Sequence, residues 1–196
     1  VHLIEPGDVL DIASGDGVLA ELLAPRARSI VCLDISRKVA EAGRERLADC
    51  GNVRFEIGDM HALPFAEEQF DTVLLMHALT YTARPEQVLA EVRRVLRPGG
   101  RLLAVTLEKH GHEKIVQPFN HVNLGFERKQ LEALAENAGL AVLACTVSAI
   151  EKRTPHRIAD RLPMPDLFQS SRLLFDTVYL KNNTRQQLID FVDPAI

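Results

Sequence analysis

Residues 9–19 read Val9-Leu10-Asp11-Ile12-Ala13-Ser14-Gly15-Asp16-Gly17-Val18-Leu19. An apolar run carrying one acid gives way to small residues and two glycines, and apolar residues then return at helical spacing. This is a strand, a tight turn and a helix, the arrangement by which α/β proteins bring bare backbone close to a nucleotide-like ligand. The missing side chains at Gly15 and Gly17 leave room for such a ligand, and the first turn of the helix offers N–H groups without intrahelical partners.

Working outward, the same alternation continues. Strands are expected at Asp8–Ile12, Ser29–Leu33 (closing on Asp34), Val53–Ile57, Thr72–Met76, Arg101–Val105 and Leu140–Val147. The run at 72–76 is unbroken apolar, as in a central parallel strand buried on both faces. Helices are expected at about 18–24, after the N-cap Ser36, from Pro85 to about Leu96, and over 127–138 with Gly139 just beyond. Strand–helix alternation at this spacing implies right-handed crossovers, hence an α/β fold with a doubly wound, mostly parallel sheet.

The bulk composition narrows the partners. The chain has 196 residues with 46% hydrophobic and 26% charged, enough for one α/β domain with a real core. A formal net charge of −4 provides no general attraction to nucleic acid or to anionic membranes. No apolar run is long enough to span a bilayer and the N-terminus is not a signal peptide, so a cytoplasmic protein is expected. Cys32, Cys50 and Cys145 form no CxxC pair and read as reduced structural thiols. The chain begins at Val1, a few residues before its first strand, and reads as a fragment or a downstream domain of a longer protein.

Asp34 sharpens the reading of the turn. An acid at the end of the second strand, seventeen residues beyond Gly17, stands where a ribose would present two hydroxyls, and one carboxylate can accept from both. The dinucleotide fingerprint is also met by Gly15-x-Gly17-x-x-Ala20, which keeps an NAD-dependent oxidoreductase as an alternative. Against that alternative, no Tyr-x-x-x-Lys pair is present to move a hydride.

The order Asp11-x-x-x-Gly15-x-Gly17, Asp34, Asp59, Phe70-Asp71 and Leu96-Arg97-Pro98-Gly99-Gly100 resembles the class I S-adenosylmethionine-dependent methyltransferases, over roughly residues 5–150. Within that family the motifs are most similar to methyltransferase domains found behind ArsR-type winged-helix regulators in bacteria. That likeness rests on 10–17, on Gly58-Asp59-Met60-His61-Ala62-Leu63, on Leu75-Met76-His77-Ala78-Leu79-Thr80-Tyr81, and on 125–139.

The resemblance implies S-adenosyl-L-methionine as cofactor and assigns roles residue by residue. Backbone around Gly15 and Gly17 meets the methionine moiety, with Asp11 organising its amino end. Asp34 takes the ribose hydroxyls, Asp59 the adenine amino group, and Ile35 and Met60 sandwich the ring. Met76 and His77 close the pocket near the methyl group. Ala13 stands where the family often has glycine. If the acceptor must lose a proton, His77 is the first candidate base and Tyr81 the second.

The expected function is methyl transfer to a small-molecule acceptor. The alternative from another class is a non-catalytic regulatory module that binds S-adenosylmethionine or S-adenosylhomocysteine. His110-x-His112 with His121 lies in an irregular stretch near the substrate opening; the pair is too close for helical zinc spacing, and no metal is expected.

Residues 1–152 are expected to form the cofactor-binding domain and 153–196 a C-terminal extension. Family members complete the sheet with a seventh, antiparallel strand. No apolar β-rich run follows Arg153-Thr154-Pro155-His156, so the sheet is expected to lack that strand or borrow a substitute. Leu167, Phe168, Leu174, Phe175 and Val178 suggest a helix instead, with residues 167–192 packing on the core or on a twin subunit as a homodimer.

Overall fold

The computed structural model describes residues 5–111, 113, 119–151 and 173–182. In chain order they form β1 (Asp8–Ile12), α1 (Val18–Leu23), β2 (Ser29–Asp34), α2 (Arg37–Arg46), β3 (Val53–Ile57), β4 (Phe70–Met76), a 3₁₀ turn (Ala78–Tyr81), α3 (Pro85–Val95), β5 (Leu96–Leu107), α4 (Arg128–Asn137), β6 (Leu140–Glu151) and β7 (Leu173–Asn182). The strands make one sheet in the order β3-β2-β1-β4-β5-β7-β6. Pairing is parallel from β3 through β5, and β7 runs antiparallel to both β5 and β6. The strand order reverses between β1 and β4, so the loop leaving β1 sits at the topological switch point, where open α/β sheets bind ligands.

Period-2 alternation divides the core between the two faces of the sheet. Leu10, Ile12, Val31, Leu33, Val73 and Leu75 pack with Val88, Leu89 and Val92 of α3 and with Leu131 and Ala135 of α4. Val9, Ile30, Cys32 and Leu74 pack on the other face with Ala20 of α1, Ala40 of α2 and Phe55 of β3. The helix boundaries follow local chemistry. Ser36 Oγ accepts from the Val39 N–H at 3.4 Å, Pro85 opens α3, and Gly139 follows α4 at φ 79°.

Regular β4–β5 pairing starts at Thr72–Arg101, because Arg97-Pro98-Gly99-Gly100 interrupts the ladder after Phe70–Leu96. At this end of the strands Arg28 and Arg97 clasp Asp8 and Asp71. Arg97 Nη1 lies 2.9 Å from Asp8 and 2.8 Å from Asp71, and Arg28 Nη1 lies 2.8 Å from Asp8. The clasp ties the starts of β1 and β4 to the α3–β5 junction, far from the switch point.

The tail corrects the sequence reading. The segment containing Leu174, Phe175 and Val178, expected as a helix, is strand β7, and the sheet has its seventh strand at Leu173–Asn182. It pairs from Arg101↔Lys181 to Leu107↔Phe175 on one side and from Leu140↔Asn182 to Glu151↔Leu173 on the other. Residues 173–182 are therefore interior to the sheet, between β5 and β6. Short apolar runs do not distinguish strand from helix by periodicity, and here two open ladder edges decide the conformation. The rest of the expected helical region, 167–172 and 183–192, lies outside the described residues. Among the described residues no helix is long and apolar enough to cross a membrane.

Phe55 is the wedge that holds α2 against the sheet. It is 6% exposed, and a Cβ added at Gly43 of α2 would overlap its ring. Gly43→Val is expected to cost about 1–3 kcal/mol in urea unfolding through overpacking. Unchanged stability would mean that α2 moves outward freely.

Candidate cofactor and acceptor site

β1 ends at Ile12 and the chain turns through a left-handed residue, Ala13 at φ 56°. The usual glycine at this position is explained by that conformation, which an alanine adopts at a cost of about 1–2 kcal/mol. The Ser14 N–H donates to the Leu33 carbonyl at 3.1 Å and the Gly15 N–H donates to Asp34 Oδ2 at 3.0 Å, so the first loop is bound to the end of β2.

The two glycines divide their work. No heavy atom lies within 4 Å of where a Gly15 Cβ would stand, so Gly15 faces open space. A Cβ at Gly17 would instead stand 2.8 Å from Phe55 Cζ and 3.0 Å from Leu47 Cδ1. Gly17, at φ 79°, starts α1 and lets it pack close to α2 and β3.

Asp11 is 2% exposed, and its Oδ1 has no hydrogen-bond partner among the described residues. Burial, with the Asp34 charge added, pushes its carboxyl up to about 7. A buried carboxylate oxygen left without a donor is what a cationic ligand group would satisfy. Its neighbour across the ladder, Cys32, has its thiol pushed up to about 12 by burial and by Asp11.

Asp34 Oδ1 accepts from the Ser36 N–H at 2.9 Å while Oδ2 takes Gly15. Each oxygen keeps a second lone pair, and the side chain is half-buried, so two further donors can reach it. Ile35 follows with 76% of its surface exposed, an apolar platform at the end of β2. Gly58, just after β3, donates its N–H to the Asp34 carbonyl at 3.1 Å; the exposed Asp59 follows, then the half-buried Met60, which packs against the core. Asp59 Oδ1 accepts from the His61 N–H at 2.8 Å and pairs with His61 Nδ1 at 2.6 Å. These bonds hold the Asp59 carboxyl below the usual carboxylate range.

At the exit of β4, Met76 and His77 are half-buried, and His77 is left-handed at φ 61°. Its N–H donates to the Val105 carbonyl at 2.7 Å, and its carbonyl accepts from Thr80 Oγ1 at 2.6 Å. Burial, and then the neighbouring His121, lower its pKa. Burial lowers that of His121 as well.

The segment at 119–125 returns to the 3₁₀ turn. His121 packs edge-on against Tyr81 with ring centroids 5.4 Å apart and lies 6.3 Å from Phe119. The Val122 and Asn123 N–H groups donate to the Thr80 carbonyl, while Asn123 Nδ2 donates to the carbonyls of Leu79 and Thr82. His121 is therefore brought to the β4 exit, whereas His112 lies outside the described residues. Sequence reasoning missed His61, Thr82 and Asn123. Their partners are 21 and 41 residues away, and only the GDMHAL stretch drew attention to His61.

Residues 10–104 match the family model described as a methyltransferase domain. Over those residues the chain is similar to that family. A ubiquinone/menaquinone biosynthesis C-methyltransferase, UbiE, of Ectopseudomonas mendocina is 35% identical over 131 residues, covering 63% of this chain and 51% of that protein. The chain spans about half the length of the curated relatives it matches.

Two solved structures share the fold of this chain. An S-adenosylmethionine dependent methyltransferase from Mesorhizobium loti superposes with a TM-score of 0.71 at 18% identity, covering 90% of this chain and 92% of the other. Geranyl diphosphate C-methyltransferase from Streptomyces coelicolor, in complex with S-adenosyl-L-homocysteine, superposes with a TM-score of 0.75 at 15% identity, covering 92% and 74%. S-adenosyl-L-methionine is the cofactor that the first of these is named for. The orphaned Asp11 oxygen, the open face of Gly15, the two-handed Asp34 and the exposed Ile35 fit it.

Proposed function

We propose that the chain binds S-adenosylmethionine across the C-terminal ends of β1, β2 and β3 and methylates a small-molecule acceptor at the exit of β4. The observation that carries this reading is the Asp34–Gly15 clasp, with the orphaned carboxylate of Asp11 beneath it. When bound, the cofactor supplies a methyl group on a cationic sulfur.

In this reading Asp11 holds the amino end, and the backbone from Ala13 through Gly15 to Gly17 lines the methionine moiety. Asp34 accepts from two ribose hydroxyls, Asp59 accepts from the adenine amino group, and Ile35 and Met60 cover the ring. Met76, His77 and Tyr81 face the reacting end. The task of these side chains is alignment and exclusion of water, since the leaving group is already activated.

The name of the UbiE relative supports a carbon acceptor. A demethylated quinol is accordingly the first acceptor to assay. The motif likeness to domains behind ArsR-type regulators is a narrower inference and rests on the sequence stretches alone. A cytoplasmic setting is part of the same reading, as is pairing with a second copy through residues 153–196.

Calorimetric titration with S-adenosylmethionine, S-adenosylhomocysteine and NAD tests the reading. Binding of the first two and not the third is expected; binding of NAD alone would replace the reading by an oxidoreductase. Tight binding of both sulfur compounds with no labelled methyl leaving on any acceptor would make the domain a binding module.

His77 is the base in this reading where the acceptor loses a proton. Its pKa is lowered, so with cofactor at saturation turnover is expected to fall only when pH drops below the ordinary imidazole value of about 6.5. His77→Asn tolerates the left-handed backbone and removes the base. It is expected to lower turnover about 10²–10⁴-fold with S-adenosylhomocysteine affinity nearly unchanged. Full turnover in that variant would exclude the role.

A further inference from the structure

His61 joins the two halves of the site. Its Nδ1 contacts Asp59 Oδ1 at 2.6 Å, and its Nε2 contacts Thr82 Oγ1 at 2.6 Å, from a side chain only 15% exposed. Thr82 Oγ1 also accepts from the Arg84 N–H at 2.8 Å. One tautomer satisfies every group. His61 Nδ1–H donates to the Asp59 carboxylate, the Thr82 hydroxyl donates to Nε2, and the Thr82 oxygen accepts from Arg84. Gln87 Nε2 donates to the His61 carbonyl at 2.9 Å and holds the residue from α3.

The chain of contacts continues beyond Thr82. The Thr82 carbonyl accepts from Asn123 Nδ2 at 3.0 Å, and Asn123 Oδ1 in turn accepts from the Gly125 N–H at 3.1 Å. Val122 and Asn123 hang by their N–H groups from Thr80, at 2.8 and 3.3 Å. The segment that carries His121 to Tyr81 is thus suspended from the 78–82 turn, and that turn is tied through His61 to Asp59. Asp59 is exposed and Thr82 is buried, so a ligand on the adenine side meets this stretch of the network at Asp59.

We infer that His61 is a positioning residue that couples occupancy of the adenine side of the cofactor site to the ordering of residues 119–125 beside the acceptor. The inference rests on the function proposed above. A donor that engages the free oxygen of Asp59 restrains the carboxylate. The restraint holds His61 and Thr82 in register, and hydrogen bonds in series reinforce one another. Because coupling is reciprocal, the cofactor prepares the acceptor side and an acceptor tightens the cofactor by the same factor. Each ligand then binds better in the presence of the other.

The test needs no acceptor. Amide hydrogen exchange of the peptide spanning 119–126 is measured with and without S-adenosylhomocysteine at saturation, with affinity determined separately by calorimetry. In the unaltered chain, S-adenosylhomocysteine is expected to slow exchange at Val122 and Asn123 about 5- to 150-fold. His61→Asn keeps a donor toward Asp59 but is too short to reach Thr82. It is expected to bind S-adenosylhomocysteine within about threefold of the unaltered chain and to lose the protection. Thr82→Val is expected to lose it as well, and Thr82→Ser, which keeps the hydroxyl, to retain it; this pair decides the matter should His61→Asn fold poorly.

Binding without protection in the unaltered chain, or full protection in His61→Asn or Thr82→Val, would overturn the coupling and leave the cofactor reading standing. Failure of S-adenosylhomocysteine to bind at all would overturn both.

Discussion

Asp34→Ala is expected to weaken S-adenosylhomocysteine binding at least about 100-fold in calorimetric titration. In the proposed complex the carboxylate accepts from two ribose hydroxyls, and hydrogen bonds to a charged group are each worth about 1.5–3 kcal/mol. Two of them lost amount to about 3–6 kcal/mol, at tenfold per 1.4 kcal/mol. The same carboxylate also holds the Gly15 and Ser36 N–H groups, at 3.0 and 2.9 Å, so its removal frees the loop that lines the methionine moiety. Asp34→Asn keeps one acceptor oxygen and is expected to fall between. A thermal melt of each variant separates lost binding from lost folding. Affinity within threefold of the unaltered chain would remove Asp34 from the cofactor site.

Asp11→Asn is expected to act in opposite directions on stability and on binding. The Asp11 carboxyl is pushed up to about 7 in the folded chain, against an ordinary value of 3.8, by burial first and by Asp34 second. A folded-state pKa above the unfolded one means that the folded chain holds the proton more tightly between these two values. The contribution of this group is therefore fully present below pH 3.8 and is lost as pH rises through about 7, levelling off above. The separation corresponds to a loss on the order of 4 kcal/mol.

Asn cannot ionise, so the variant is expected to be more stable than the parent in urea at pH 8 and to match it at low pH. The comparison cancels the titration of the histidines, which both chains share. Binding runs the other way. Only an ionised Asp11 offers full charge to the cofactor's amino group, so S-adenosylhomocysteine affinity in the parent should rise as pH passes upward through 7. Asp11→Asn should bind at least about tenfold more weakly at pH 8 and lose that rise. A variant no more stable than the parent at pH 8 would mean that Asp11 is not strained in the free protein.

The placement of the acids was legible because it depends on strand ends. Once Asp8–Ile12, Ser29–Asp34 and Val53–Ile57 are parallel neighbours, Asp11, Asp34 and Asp59 are carried to one edge of the sheet by register alone. The hydrophobic pattern that specifies the strands is local, and the right-handed crossover leaves little freedom between them. The two glycines were legible as a turn, but not in their separate tasks. Gly17 serves Phe55 and Leu47, residues 30 or more positions away, and no local pattern reports such a contact.

By itself, then, the sequence determined the α/β order, the switch-point turn and the acids that surround it, because each is written in short-range periodicity and turn chemistry. The tertiary structure alone decided three things: that Leu173–Asn182 is a strand, that His121 meets Tyr81, and that His61 bridges Asp59 to Thr82. A run such as Leu173–Asn182 takes its conformation from the edges open to it, and here the neighbouring edges of β5 and β6 make it a ladder. The histidines are placed by loop closure, whose partners lie tens of residues apart and leave no period to read.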